Sequence, residues 1–125
     1  MADRAIGDHI LTKSHVADEA IEANRFVKLV TATGPTPHVV HSADGDAAIG
    51  VSRIAVASGK LCDVVIMGTA WVLAAENIAA GQLVASAASG QAEVADSTDD
   101  VLGQAHTDAN ASDLVLVRLS VGGAV

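Results

Sequence analysis

The sequence predicts an all-β protein, a small β-barrel or β-sandwich built from two tandem strand-rich repeats. Three observations predict it. Two blocks of sequence recur in the same order, and short β-prone runs alternate with turn-forming clusters along the chain. The apolar content is mostly Ala and Val, with Phe26 and Trp71 the only aromatic residues. At 125 residues one domain is expected, burying roughly two thirds of the surface its unfolded chain exposes.

The repeat comes first, because self-similarity changes how every local pattern is read. Glu19 to Val27 aligns with Glu76 to Val84, 57 residues further on. Ala48 to Val51 then aligns with Val101 to Gln104, and Leu61 to Ile66 with Leu114 to Leu119, both 53 residues further on. The difference falls at Pro35-Thr-Pro37, which has no proline counterpart near Ser86 to Gly90. The repeats so defined run over about 17–72 and 73–120, within one β domain of residues 16–125 that follows an N-terminal arm, residues 1–15.

In the arm, Arg4, Ile6, His9, Ile10, Leu11 and Lys13 mix charge with apolar side chains, a pattern suited to ordering against a partner surface. It lacks the long apolar run of a secretory signal. Next, Val16, Ala20, Ala23, Val27 and Val30 follow helical spacing, so a short helix is one reading. The second copy favours another. Asn24 aligns with Gly81, and these residue types adopt positive φ most readily, so a turn should precede strands at Arg25 to Val30 and Gln82 to Ser86. Further strands are expected at Val39 to His41, Ile49 to Ile54, Leu61 to Met67, Ala70 to Ala74, Ala92 to Ala95, Val101 to His106 and Asp113 to Ser120. Turn clusters at Ser42 to Asp46, Ala57 to Lys60, Ala87 to Gly90 and Asp96 to Asp100 separate them, and Gly122 to Val125 reads as a tail.

Composition excludes some functions. Seven Lys and Arg against fifteen Asp and Glu give a net charge of −8 with no basic cluster, which removes the main drive for binding nucleic acid or anionic membranes. Mean hydropathy is +0.41. Even so, the most apolar stretch, Val64 to Ala75, falls short of the roughly 18 to 20 residues of a bilayer span. A soluble, unexported protein is expected. Ala and Val bury little each, at roughly 0.8 kcal/mol per methylene, so further burial in an oligomer or on a larger surface is expected too.

No catalytic constellation emerges, and neither an enzyme nor a bound cofactor or metal is expected. His38 and His41 are three apart and face opposite sides of a strand; neither has a carboxylate at ligand spacing. His9, His15 and His106 are isolated. The acidic turns Asp44-Gly-Asp46 and Asp96 to Asp100 lack the spacing of a calcium loop and sit at matching places in the two copies, as duplicated turns would. Ser58-Gly-Lys60 is no phosphate loop, because Ile54 stands where the first glycine belongs and Leu61 where the Ser or Thr belongs. Cys62 is alone and reads as a half-buried strand residue. Trp71 reads first as core and second as an aromatic anchor at a protein interface.

Thr12 to Leu29 resembles the opening of small capsid decoration (cement) proteins of tailed bacteriophages. Ala48-Ile-Gly-Val51, Ala57-Ser-Gly59, Gly68-Thr-Ala-Trp-Val72 and Ala79-Ala-Gly-Gln-Leu-Val84 follow in that family's order, so that the resemblance covers roughly Thr12 to Leu119. It implies a homotrimer, assembled in the host cytoplasm, on the outer surface of the virion head. There it would bridge major capsid subunits and stabilise the expanded lattice, with no catalytic residues. The alternative is a carbohydrate- or small-ligand-binding β module, because Ile78 to Val84 also resembles a motif of SAF (antifreeze-like) domains. The absence of Tyr weakens it, since sugars stack on aromatic faces. A lipoyl-type carrier, with Lys60 as the modified residue, lacks the Met flanks such a lysine carries.

Overall fold

Strands dominate because Val, Leu and Ile recur at alternate positions between turn residues, which suits a pleated surface buried on one side. The structure, a computed structural model, describes residues 9–31 and 35–120. In chain order the strands are β1 (His9–Ala17), β2 (Phe26–Val30), β3 (His38–His41), β4 (Gly50–Ser52), β5 (Leu61–Leu73), β6 (Leu83–Ser86), β7 (Ala92–Val94), β8 (Gly103–Ala105) and β9 (Leu114–Leu119). A 3-10 turn at Ala88–Gly90 is the one helical element among the described residues.

The strands run in the spatial order β1-β3-β2-β4-β5-β9-β8-β6-β7. A further ladder, from Val16 opposite Leu61 to His9 opposite Gly68, joins β1 to β5 and closes the first five into a barrel. Closure leaves these strands no long free edge. The other four continue from the second half of β5, which pairs Thr69 with Arg118 through Leu73 with Leu114. An isolated parallel bridge from Ala92 to Ala74 brings β7 back to the end of β5.

β5 therefore serves two units and has two cores to face. Cys62 and Val64 lie in the first core with Ala17, Ile21, Val27 and Val39, whereas Val65, on the opposite face, belongs to the second. Beyond Gly68 the parity is reversed: Ala70, Val72 and Ala74 enter the second core. Gly68 has φ of +99°, a conformation that L side chains rarely adopt and that lets one strand exchange its inward and outward faces.

The aligned positions are also equivalent in geometry. Ile21 and Val56 exchange two backbone hydrogen bonds of 2.9 Å, and Ile78 and Ala109 exchange two of 2.8 Å. The Asn24 and Gly81 turns have φ of +62° and +93°. Asp46 accepts the Ala43 N–H at 3.2 Å, as Asp99 accepts that of Asp96 at 3.1 Å. The first core's Ala17, Ile21, Val27, Val39, Cys62 and Val64 have their counterparts Ala74, Ile78, Val84, Ala92, Val115 and Val117 together in the second. In the alignment the change of offset falls between β2 and β3 in the first half and between β6 and β7 in the second.

One of two alternatives falls away and three readings need correction. The helical spacing of Val16 to Val30 produces no helix, because the backbone turns at Asn24. Residues 9–15 are wall rather than arm, paired with β5 as part of β1. The strands expected at Leu61 to Met67 and Ala70 to Ala74 are a single strand through Gly68. Cys62 is fully buried, not half-buried.

Candidate docking surfaces

Alternation along β5 and β9 decides which side chains face outward in the second unit. Thr69 lies opposite Arg118, Trp71 opposite Leu116 and Leu73 opposite Leu114, and directly opposed residues share a face. β8 and β6 extend this face, with Arg118 opposite Gln104 and Gln104 opposite Leu83. Leu114 and Leu83 are exposed, Trp71 and Leu73 are half-buried, and Leu116 is covered. Arg118 is exposed and has no ion pair among the described residues. A face of Trp, Leu and one free Arg has the composition of a binding surface. Trp71 thus stands on the outside of the sheet, not in either core.

The other predicted contact residues are not gathered there. Lys13 is exposed on β1, opposite Val64 of β5. His9, Ile10 and Leu11 form the start of β1. Arg4 and Ile6 lie outside the described residues. The histidines support turns: His38 Nδ1 is 3.0 Å from Asp18 Oδ1, and His41 Nδ1 is 3.1 Å from Glu19 Oε2 while its Nε2 accepts the Glu22 N–H at 3.1 Å.

The seam between the units holds the main electrostatic feature. Arg25, nearly buried, donates from Nη1 to the Ser89 carbonyl at 3.1 Å and from Nη2 to Glu22 Oε1 at 2.9 Å. Gly45 donates to the Ser86 carbonyl at 2.8 Å, and Asp100 donates back to Gly45 at 3.3 Å. These contacts draw Asp44, Glu93 and Asp99 together, with one oxygen of each within 4.8 Å of the others. Burial, then a hydrogen bond to Asp44 and the nearby carboxylates, pushes the Glu93 carboxyl up to about 7. One proton held between Glu93 and Asp44 relieves the repulsion of like charges. In contrast, the hydrogen bond from Lys28, with that from Ala43, holds Asp46 below the usual carboxylate range.

The two turns suspected of mere duplication thus meet through Asp44 and Asp99, and sequence reasoning missed Glu93 as their companion. It also missed Leu83, Leu114 and Arg118 as a surface. Period-2 alternation outward from Trp71 was the available signal for Leu73 and, across the ladder, for Leu114 and Arg118.

Taken together, a closed five-stranded barrel, a second strand unit fused through one long strand and an outer face rich in apolar side chains define an all-β module. Comparison with known proteins gives the family. A phage cement protein family matches residues 5–119, and the chain belongs to that family of structural virion proteins. Among solved structures, the crystal structure of the head fiber gp8.5 N base of bacteriophage phi29 is similar in fold, with a TM-score of 0.76 and 20% identity over 88% of this chain and 93% of that one. No curated protein matches.

Proposed function

We propose that the protein decorates the outer surface of the phage head as a homotrimer and stabilises it by bridging neighbouring major capsid subunits. The observation that carries this reading is the family match over residues 5–119. It is supported by an outer face on which Leu83 and Leu114 are exposed and Trp71 and Leu73 half-buried. A protein that binds the mature lattice more tightly than its precursor stabilises the mature form by its differential affinity alone, with no chemistry required. The two units are read as products of tandem duplication, and residues Arg4 and Ile6, with β1 behind them, as the part that reaches the capsid.

The test is addition of purified protein to heads that lack it. Saturable binding and a higher temperature of genome release are expected. Removal of residues 2–8, which leaves β1 in place, should abolish attachment with the melting curve unchanged. Heads that bind nothing, or that gain no stability when saturated, would defeat the proposal.

A further inference from the structure

In the first unit, Phe26, Val51 and Val65 form one row across β2, β4 and β5, each lying opposite the next. All three are at most 2% exposed, because the second unit covers them. Its 3-10 turn sits on Phe26 so closely that a Cβ at Gly90 would overlap the Phe26 carbonyl oxygen. In the second unit the equivalent row is Leu83, Gln104 and Arg118. Among the described residues no element packs over it as the 3-10 turn packs over Phe26, and Leu83 is 41% exposed.

The opposite half of the contact is vacant in the same way. Besides the carboxylates at the seam, the second unit touches the first through Ser86 and Ala88–Gly90. By the 57-residue offset the counterpart of Ser86 is Leu29, and counting back from β7 and β3 by the 53-residue offset that of Gly90 is Pro37, with four more residues in the first unit's loop between them. Ser86 is fully buried, whereas Leu29 is 52% exposed and Pro35, Thr36 and Pro37 are all exposed.

We propose that the Leu83, Gln104 and Arg118 row is occupied by the first unit of another copy, with Leu29 and Pro35 to Pro37 placed against it as Ser86 and Ala88–Gly90 are placed within the chain. The contact between chains then repeats the contact between units. Charge favours this head-to-tail pairing over a symmetric one. The face itself carries a single charge, Arg118, so a symmetric pairing of two such faces would bring two like charges together. The described part of the first unit carries six carboxylates against five Lys and Arg, of which Lys13, Arg53 and Lys60 are exposed with no ion pair among the described residues. Heterologous contacts of this kind close into rings when the rotation permits. The inference rests on the self-association proposed above and names its surfaces.

Sedimentation of wild type, Leu83→Asp and Leu29→Asp tests it, with circular dichroism and thermal melting to verify folding. Wild type should sediment as an oligomer and either variant as a folded monomer. A second measurement covers the case of misfolding. Separately purified Leu83→Cys and Pro37→Cys proteins, both in a Cys62→Val background, should form a mixed disulfide when combined and oxidised. A monomeric wild type would overturn the inference. So would Asp variants that remain oligomeric without a mixed disulfide, or Leu83→Cys that links only to itself. If Leu83→Asp assembles normally and loses only head attachment, the face belongs to the capsid lattice and the inference fails. Binding of wild type to heads is scored separately, so failure of the virion role is distinguishable from failure of this interface.

Discussion

Asp44 and Glu93, one from each unit, meet across the seam with a carboxyl oxygen of each within 4.8 Å of the other. Glu93 is raised from 4.5 to about 7 in the fold, so the native state binds a proton that the unfolded chain has released. Its contribution is fully present below about pH 4.5 and is lost as pH rises through about 7. Partial exposure screens the effect, leaving on the order of 1–2 kcal/mol. Asp46 acts oppositely: its contact with Lys28 lowers it, so that contribution fades as pH falls below about 3.8. Melting temperature should therefore decline from mildly acidic to mildly alkaline pH, and Glu93→Gln should remove most of the decline. A flat wild-type profile over that range would contradict the shared proton.

Phe26 belongs to the first unit by sequence and to the second unit's core by packing. The units should consequently unfold together. Phe26→Ala is expected to cost about 3–5 kcal/mol and to lower a single calorimetric transition as a whole. Two separate transitions in the wild-type protein would show that the seam does not couple the units.

Gly50 and Gly103 occupy equivalent places where neighbouring strands approach most closely. A Cβ at Gly50 would overlap the Val65 carbonyl oxygen, and one at Gly103 the Arg118 carbonyl oxygen. Gly50→Ala and Gly103→Ala should each destabilise by about 1–3 kcal/mol or more, since these neighbours are backbone and cannot rotate away. Gly59→Asn provides the contrast. Gly59 has φ of +87° but open space around it, and its counterpart Ser112 already holds φ of +73°. Its cost should stay within about 1 kcal/mol, because Asn tolerates this conformation. Urea denaturation of the three variants measures the difference.

Legibility in the sequence followed the repeat. The Asn24 and Gly81 turn could be read because two different residues share only one property, tolerance of positive φ. The β1 strand could not, since its pairing with β5 is non-local and its equivalence to Thr69 to Leu73 rests on register rather than on shared residue types. The continuity of β5 was hidden by Gly68, which reads locally as a break. The seam carboxylates were invisible for a different reason. Asp44 aligns with Ser97 and Glu93 with Val40, so the cluster exists only where the aligned halves differ. The same holds for the outer row. Val51 becomes Gln104 and Val65 becomes Arg118, a change whose meaning depends on knowing which row the other unit covers.

Cys62 offers the narrowest check on the equivalence of the two cores. It is fully buried in β5, and burial, with Asp63 adding to it, pushes its thiol above the usual range. The thiolate is the reactive form, so a thiol reagent should label the native protein only through unfolding, with a rate that rises with denaturant. The counterpart of Cys62 in the second core is Val115, which has the same full burial on β9. Cys62→Val should then fit the first core with a change of less than about 1.5 kcal/mol. Cys62→Phe should destabilise by about 1–3 kcal/mol, because the close packing around Ile21, Val27 and Val64 leaves the larger ring no low-energy rotamer. Rapid native labelling, or a Val variant as damaging as the Phe variant, would mean that the two cores are not packed alike.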